Sequence, residues 1–289
     1  MAIKILITND DGINAEGLKI LVDKAKEYGE VVVVAPMQEQ SAKSHALTLR
    51  KEVSVKTETL FEGIVAYSID STPADCVRYA YFGLKYDFDI LFSGINKGYN
   101  IGLDIMYSGT VAAAFEASSL GKKAIAFSTG IDTFNGAINN FNEVMDYIND
   151  NDLLKEWNLY NVNFPYECKG IRITRQGGPI FTTEFVKKGD SVIQTGEMHF
   201  ENREEYMHLD TSCISNNYIS ISPLMHERTK IEVFEKFRKN IEIFDNNFEN
   251  NKEHIKLFEE RKKHKVECIK RQKKTNLSFK QLFNDNKNK

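Results

Sequence analysis

Two adjacent carboxylates, Asp10 and Asp11, stand in the run Ile7-Thr8-Asn9-Asp10-Asp11-Gly12. Neighbouring like charges repel, so a fold that places both at one spot must offset them, and a bound cation is the usual means. Hard divalent ions such as Mg²⁺ and Mn²⁺ favour such an oxygen cluster, completed by neutral oxygens and water. Taken alone, Asp-Asp-Gly is more often a solvated turn than a metal site. Ser41, in Gln40-Ser41-Ala42-Lys43-Ser44, reads by itself as a loop serine or a helix cap. Asn96, in Ser93-Gly94-Ile95-Asn96, is either an amide-oxygen ligand or an ordinary turn asparagine. The stretch from Gly94 to Thr110 says more. Gly98 and Gly102 permit close backbone approach, and Tyr107-Ser108-Gly109-Thr110 leads directly into an Ala-rich helical segment. A helix N-terminus with free N–H groups, flanked by hydroxyls and a glycine, is suited to hold phosphate; the plainer alternative is a Ser/Thr cap. A long Gly/Asn-rich loop inside a compact domain is more often functional than accidental.

These residues need elements to position them. Ile3–Ile7 reads as a short buried strand, followed after the acidic loop by a helical stripe of Leu18, Leu21, Val22, Ala25 and Tyr28 that stops at Gly29. Val31–Ala35 is almost wholly β-branched, which suits a parallel strand covered on both faces. Further strands are expected at Ile64–Ile69, Phe88–Phe92 and Ala124–Phe127, with helices at Ala74–Leu84 and Thr110–Leu120 and a turn at Ser93–Asn96. Strands alternating with helices imply βαβ units and a mostly parallel sheet, whose ligands bind beyond the carboxyl ends of the strands. Asn9–Gly12, Gln40–Ser44 and Ser93–Asn96 all fall at such ends, so three separate loops are expected to converge on one site.

After residue 160 the texture changes. Strand-like Asn161–Pro165 and Ile171–Thr174 precede shorter alternating stretches near 180–186, 191–195 and 217–222, which read as β-rich hairpins of the kind that mediate oligomerisation. From about residue 230, Phe234, Phe237, Ile241, Phe244 and Phe248, continued by Ile255 and Phe258, follow heptad spacing in a charged background. Three regions result: a catalytic core over 1–160, a β-rich extension over 161–229 and a charged helical tail over 230–289.

Composition bounds the partners. Hydrophobic residues make up 42% of the 289, enough for a sizeable core. Residues 251–289 hold 13 Lys and Arg against 5 Asp and Glu, so of a net charge of −3 the first 250 residues carry −11. An acidic body argues against nucleic acid gripping the main domain, and the basic tail leaves it only a weak route to RNA. Small phosphorylated ligands are still admissible if a cation neutralises them. Cys76, Cys168, Cys213 and Cys268 are scattered and imply reduced thiols. No apolar run approaches the roughly 18 residues of a membrane span. A cytoplasmic protein is the expectation.

The blocks ILITNDDGINAEGLKIL, VVVVAPMQEQSAKSHALTL, STPADCV, FSGINKGYNIGLDIMYSGTVAAAFEA, NVNFP and YISISPL, in this order over residues 3–224, together resemble the SurE survival-protein family of 5′/3′-nucleotidases. The resemblance implies a Rossmann-like α/β core with a β-hairpin extension, assembled as homodimer or homotetramer, and one divalent cation per subunit, Mg²⁺ or Mn²⁺. It implies Asp10, Asp11, Ser41 and Asn96 as metal ligands, Ser108, Gly109 and Thr110 as phosphate-binding residues, and Asn9 and Asn100 near the substrate. Asp10 and Asp11 would serve catalysis, with a metal-activated water cleaving a nucleoside monophosphate. Two departures stand out: Ala42 where the family commonly has Gly, and the segment Leu209–Tyr218, which keeps Asp210 and Tyr218 but little else of the family pattern. Two rival readings come from other classes. A receiver-like Mg²⁺-binding signalling module also carries an acidic pair after its first strand, and a scaffold would act through the basic tail.

Overall fold

The computed structural model describes residues 2–197, 199 and 204–238. Its strands are β1 (Lys4–Thr8), β2 (Glu30–Pro36), β3 (Val55–Glu58), β4 (Val65–Ile69), β5 (Ile90–Lys97), β6 (Lys123–Thr129), β7 (Leu159–Phe164), β8 (Ile171–Ile173), β9 (Glu184–Lys188), β10 (Ser191–Thr195) and β11 (Ile219–Pro223). Nine of them form one sheet in the order β3-β4-β2-β1-β5-β6-β7-β11-β8, and β9 with β10 makes a separate antiparallel hairpin. The run from β4 to β7 is parallel throughout, while β3 pairs antiparallel with β4 and β11 antiparallel with β7. The expected α/β class with a mostly parallel sheet and a β-hairpin extension is therefore what the chain forms.

Period-two alternation divides the core between the two sheet faces. Ile5, Ile7, Val31, Val33, Ile90 and Phe92 join one apolar cluster; Leu6, Val32, Val34 and Leu91 join the other. The first face is covered by α1 (Glu16–Ala25) through Leu18, Leu21 and Val22, and by α4 (Asn135–Asp150) through Phe141, Val144 and Ile148. The second is covered by α2 (Pro73–Arg78) and α3 (Gly109–Ser119) through Cys76, Val77, Val111, Ala113, Ala114 and Ala117. Strands buried on both faces need unbroken apolar runs, which is why Val31–Ala35 has no polar residue. Short helices α5 (Leu153–Glu156) and α6 (Asp210–Ser215) complete this part.

Several elements differ from the sequence-based expectation. Strand β5 continues through the expected turn at Ser93–Asn96 to Lys97, because a register shift lets Asn96 and Lys97 pair with Ser128 and Thr129 on β6. Gly94 makes this close approach possible: at φ +137°, a Cβ there would lie 2.3 Å from the carbonyl oxygen of Phe127. The helix expected over 74–84 is present, α-helical to Arg78 and then widened into a π-type segment, Tyr79–Gly83. The division placed near residue 160 does not divide the sheet, since β7, β8 and β11 extend it. Among the described residues only β9–β10 stands apart as a hairpin, and the stretch expected near 217–222 is a sheet strand. Alternation could not distinguish these cases, because an interior sheet strand and a free hairpin share the same period of two.

Among the described residues, those up to Leu224 belong to one compact unit and 225–238 to a second. In the second, the described helix is α7 (Ile231–Arg238), which carries Phe234 and Phe237 exposed. The rest of the heptad pattern, from Ile241 on, lies outside the described residues.

Candidate active site

Strand order reverses at β1, which lies between β2 and β5 although β2 follows it directly in the chain. A crevice at the carboxyl end of such a strand is where open α/β sheets bind ligands. The Asn9–Gly12 segment begins there, directly after Thr8, the last residue of β1.

Asp10 is 4% exposed, and its carboxylate is laid onto the N-terminus of α3. Thr110 donates its hydroxyl proton to Oδ1, and the backbone N–H groups of Thr110 and Gly109 also point at the carboxylate. Burial still raises its pKa above the ordinary value, despite these donors. Gly109 is fixed by this contact, since a Cβ there would lie 2.7 Å from Asp10 Cβ and 3.0 Å from its Oδ2. Ser108 caps the same helix, its Oγ accepting from Val111 N–H at 3.1 Å. The cap reading and the anion-site reading of this segment are thus both present in one place, and the anion is a carboxylate of the protein itself.

Asp11 is less enclosed. Burial, followed by the Asp10 charge, pushes its pKa up to about 6; the Lys97 backbone N–H and ammonium pull the other way, and the Glu39 carboxylate adds to the rise. The acidic pair thus meets the end of β5, next to Asn96. It meets the second loop as well, where Gln40 N–H donates to the Asp10 carbonyl at 2.7 Å. Ser44 anchors that loop to the 3-10 turn Gly102–Met106, with its N–H on Tyr107 O at 3.0 Å and its hydroxyl on Met106 O at 2.6 Å.

The structure treats the individual candidates differently. Asn9, fully buried, donates Nδ2 to Gly12 O at 2.9 Å and leaves Oδ1 without a hydrogen-bond partner among the described residues. The Asn96 amide nitrogen is engaged by Gly98 O at 2.7 Å. The Ser41 hydroxyl is turned toward Glu39 Oε1 at 2.6 Å, at the exposed rim of the loop. Thr110 is fully buried and bonds Asp10. Asn100 points inward: its N–H donates to Asn163 Oδ1, its Nδ2 to Ser128 Oγ at 2.8 Å, and its carbonyl accepts from Asn161 and Asn163. Its place is in a buried polar network that fixes the loop. His45, given no role from sequence, pairs with Glu116 at 2.8 Å alongside Arg78. Sequence reading did not single out Glu39 and Lys97, the charges beside Asp11. Their signal is only adjacency to Gln40 and Asn96, too weak to act on without the fold.

Fold and site define the class: a doubly wound α/β domain with an acidic pair at its topological switch point, set against a helix N-terminus. The chain belongs to the SurE family, since the model of the survival protein SurE matches residues 5–182. It is 37% identical over 246 residues to a 5′-nucleotidase SurE of Clostridium botulinum (strain ATCC 19397 / Type A), a match covering 80% of this chain and 96% of that one. A second, from the Alaska E43 / Type E3 strain, is 34% identical over 250 residues, covering 81% and 98%. The crystal structure of the SurE protein from Aquifex aeolicus superposes with a TM-score of 0.69 at 32% identity, covering 82% of this chain and 98% of that one.

Two outcomes follow for stability. Alanine is the better helix former, yet Gly109→Ala is expected to lower the unfolding free energy by roughly 1–3 kcal/mol, because crowding against Asp10 outweighs propensity; a higher urea midpoint would contradict this. Asp11 binds its proton more tightly when folded, so its ionisation destabilises the cation-free protein as pH rises from about 4 through about 6. Without cation, Asp11→Asn should therefore melt above wild type at pH 7.5, with the gap closing by pH 4. A pH-independent difference in thermal scans would refute that account.

Proposed function

We propose that this protein is a divalent-cation-dependent phosphomonoesterase that hydrolyses nucleoside 5′-monophosphates to nucleoside and phosphate. The observation that carries this is the pair Asp10–Asp11, half-buried to buried against the N-terminus of α3, in a chain whose relatives bear the name 5′-nucleotidase. Two carboxylates this close and this enclosed are unfavourable to one another, and their oxygens suit a hard cation. The neutral oxygens of Ser41 and Asn96 complete the same donor chemistry, and the unpartnered Asn9 Oδ1 is a further acceptor aligned with this reading. We assign Asp10, Asp11, Ser41 and Asn96 to the cation, Mg²⁺ or Mn²⁺. When bound, it supplies charge neutralisation for the phosphoryl group and acidifies a water molecule.

The remaining tasks fall to the chain. Ser108 accepts from Val111 N–H and retains its own proton to donate to a phosphoryl oxygen. Gly109, whose N–H already points at Asp10, keeps that carboxylate against the helix N-terminus and lets Ser108 sit close beside it. Thr110 holds Asp10 in one orientation, so Asp10 orients and Asp11, the less buried of the pair, takes the proton from the attacking water. That water adds to phosphorus, the bond from phosphorus to the 5′-oxygen breaks, the departing 5′-oxygen takes a proton from solvent, and Asp11 releases to solvent the proton it took. Hydrolysis of 3′-monophosphates is the extension of this reading that depends on how the pocket seats the sugar.

The hairpin β9–β10 supports self-association into a homodimer or homotetramer. All four of its large apolar side chains are exposed, Val186 paired with Ile193 on one face and Phe185 and Val192 on the other, so that a second copy of the chain could cover apolar surface on either side. Light scattering should show a multiple of 33.1 kDa for the full chain, and a monomer for a chain in which all four become Ser or Thr. A full chain that runs as a monomer rules this assembly out.

For the activity, phosphate release from a panel of nucleoside 5′- and 3′-monophosphates should require Mn²⁺ or Mg²⁺ and stop with EDTA. Asp10→Asn should lower turnover at least about a hundredfold with the fold kept. Near-wild-type rates in that variant, or turnover indifferent to EDTA, would sink the cation-centred mechanism.

A further inference from the structure

We propose that Asp210 is a positioning residue for the reaction, holding from the far half of the chain the loop that carries the phosphate-binding segment. The inference rests on the nucleotidase reading above and extends it to a residue outside the cleft.

Asp210 is fully buried at the start of α6, and its carboxylate is bonded by backbone N–H groups from three places. Oδ2 accepts from Gly102 at 3.0 Å, and Oδ1 accepts from Gly177 at 2.8 Å and from Thr211 at 2.7 Å. Its own N–H closes onto Arg175 O at 2.9 Å. The Gly102 carbonyl is held as well, accepting from Gln176 Nε2 at 2.7 Å. Gly102 sits at φ +56°, so close to the 177–178 segment that a Cβ would lie 2.1 Å from Gly178 O. Next to it, Ile101 is fully buried with Ile180 and Ile214. One short stretch, Ile101–Gly102, is thus clamped by apolar packing, by a side-chain amide and by a buried carboxylate.

What this clamp controls lies downstream. Gly102 opens the 3-10 turn that ends at Met106, two residues before Ser108. The carbonyls of Met106 and Tyr107 in turn hold Ser44 of the loop that bears Ser41. The buried amides of Asn161 and Asn163 fix Asn100 on the upstream side. Releasing Gly102 therefore loosens the approach to Ser108 and Gly109 while leaving β1 and its acidic pair in place. Only a carboxylate offers acceptors to all three N–H groups; an asparagine turns an N–H₂ toward at least one of them. A displacement of about 1 Å at a phosphate-binding group is sufficient to slow catalysis by roughly a hundredfold.

The test compares Asp210→Asn with wild type in the full chain, loaded with Mn²⁺. Hydrogen exchange should quicken at least about tenfold in peptides spanning 99–107 and stay unchanged in those spanning β1 and β2. Mn²⁺ affinity, read by titration calorimetry, should fall no more than about threefold, through the Ser41 loop that Met106 and Tyr107 hold, whereas the affinity for inorganic phosphate at saturating Mn²⁺ should fall about tenfold or more. A merely structural role would slow or speed exchange everywhere and would not separate the two affinities. Gln176→Ala, on the exposed side of the same clamp, should fold normally and show a smaller shift in the same direction. Unchanged exchange at 99–107 with unchanged phosphate affinity in both variants overturns the proposal. Wild-type protein that releases no phosphate from nucleotides overturns the nucleotidase reading instead, and the exchange and phosphate-binding results still decide the role of Asp210.

Discussion

The contact between Asp10 and the N-terminus of α3 is the constraint on which much of the site depends. A carboxylate 4% exposed needs donors, and the helix supplies a hydroxyl from Thr110 together with backbone N–H groups from Gly109 and Thr110. For that to happen, α3 must arrive with its first turn directly over the end of β1. Its small side chains permit this: Ala113, Ala114 and Ala117 are fully buried in the core shared with α2 and the sheet. Gly109 is then the residue type the geometry demands, because any Cβ would strike Asp10. One electrostatic contact thus accounts for Gly109 and Thr110 at the start of the helix.

That contact leaves an imbalance which the protein does not remove internally. Asp11 adds a second carboxylate beside the first, Glu39 adds a third acidic group nearby, and Lys97 is a cation in the same environment. Burial, followed by the Asp10 and Glu39 charges, raises the pKa of Asp11 to about 6, so its ionised form is destabilising at neutral pH. Fold stability alone would favour an amide at position 11. Strain of this kind is common where a site is built for a ligand that arrives later, and it gives the cation-dependent reading its physical basis.

Rigidity around the site comes from buried polar groups more than from apolar packing. Asn161 and Asn163 on β7 and Ser128 on β6 reach across to Asn100, and Asp210 reaches to Gly102. In a low-dielectric interior such bonds are directional and costly to leave unmade. They convert a Gly-rich loop, which the chain alone would leave loose, into a segment with one conformation. They also bind the later strands to the site, so the sheet from β7 onward is part of the catalytic architecture.

By itself the sequence determined the α/β class, the parallel strand–helix alternation as far as Phe127, and the acidic pair with its glycine and helix-start partners. All of these are local: periodicity, β-branched runs and turn residues record burial and backbone geometry within a few residues. The blocks it shares with its family named the remaining candidates. Only the tertiary structure decided that β5 runs on through Ser93–Asn96, since that depends on pairing with β6. It alone turned Asn100 inward and gave Thr110 to Asp10. It alone joined Asp210 to a loop 108 positions earlier. A residue's partner across the fold leaves no mark on the residues beside it in the chain, and that is the physical reason these parts of the site were not legible until the chain was folded.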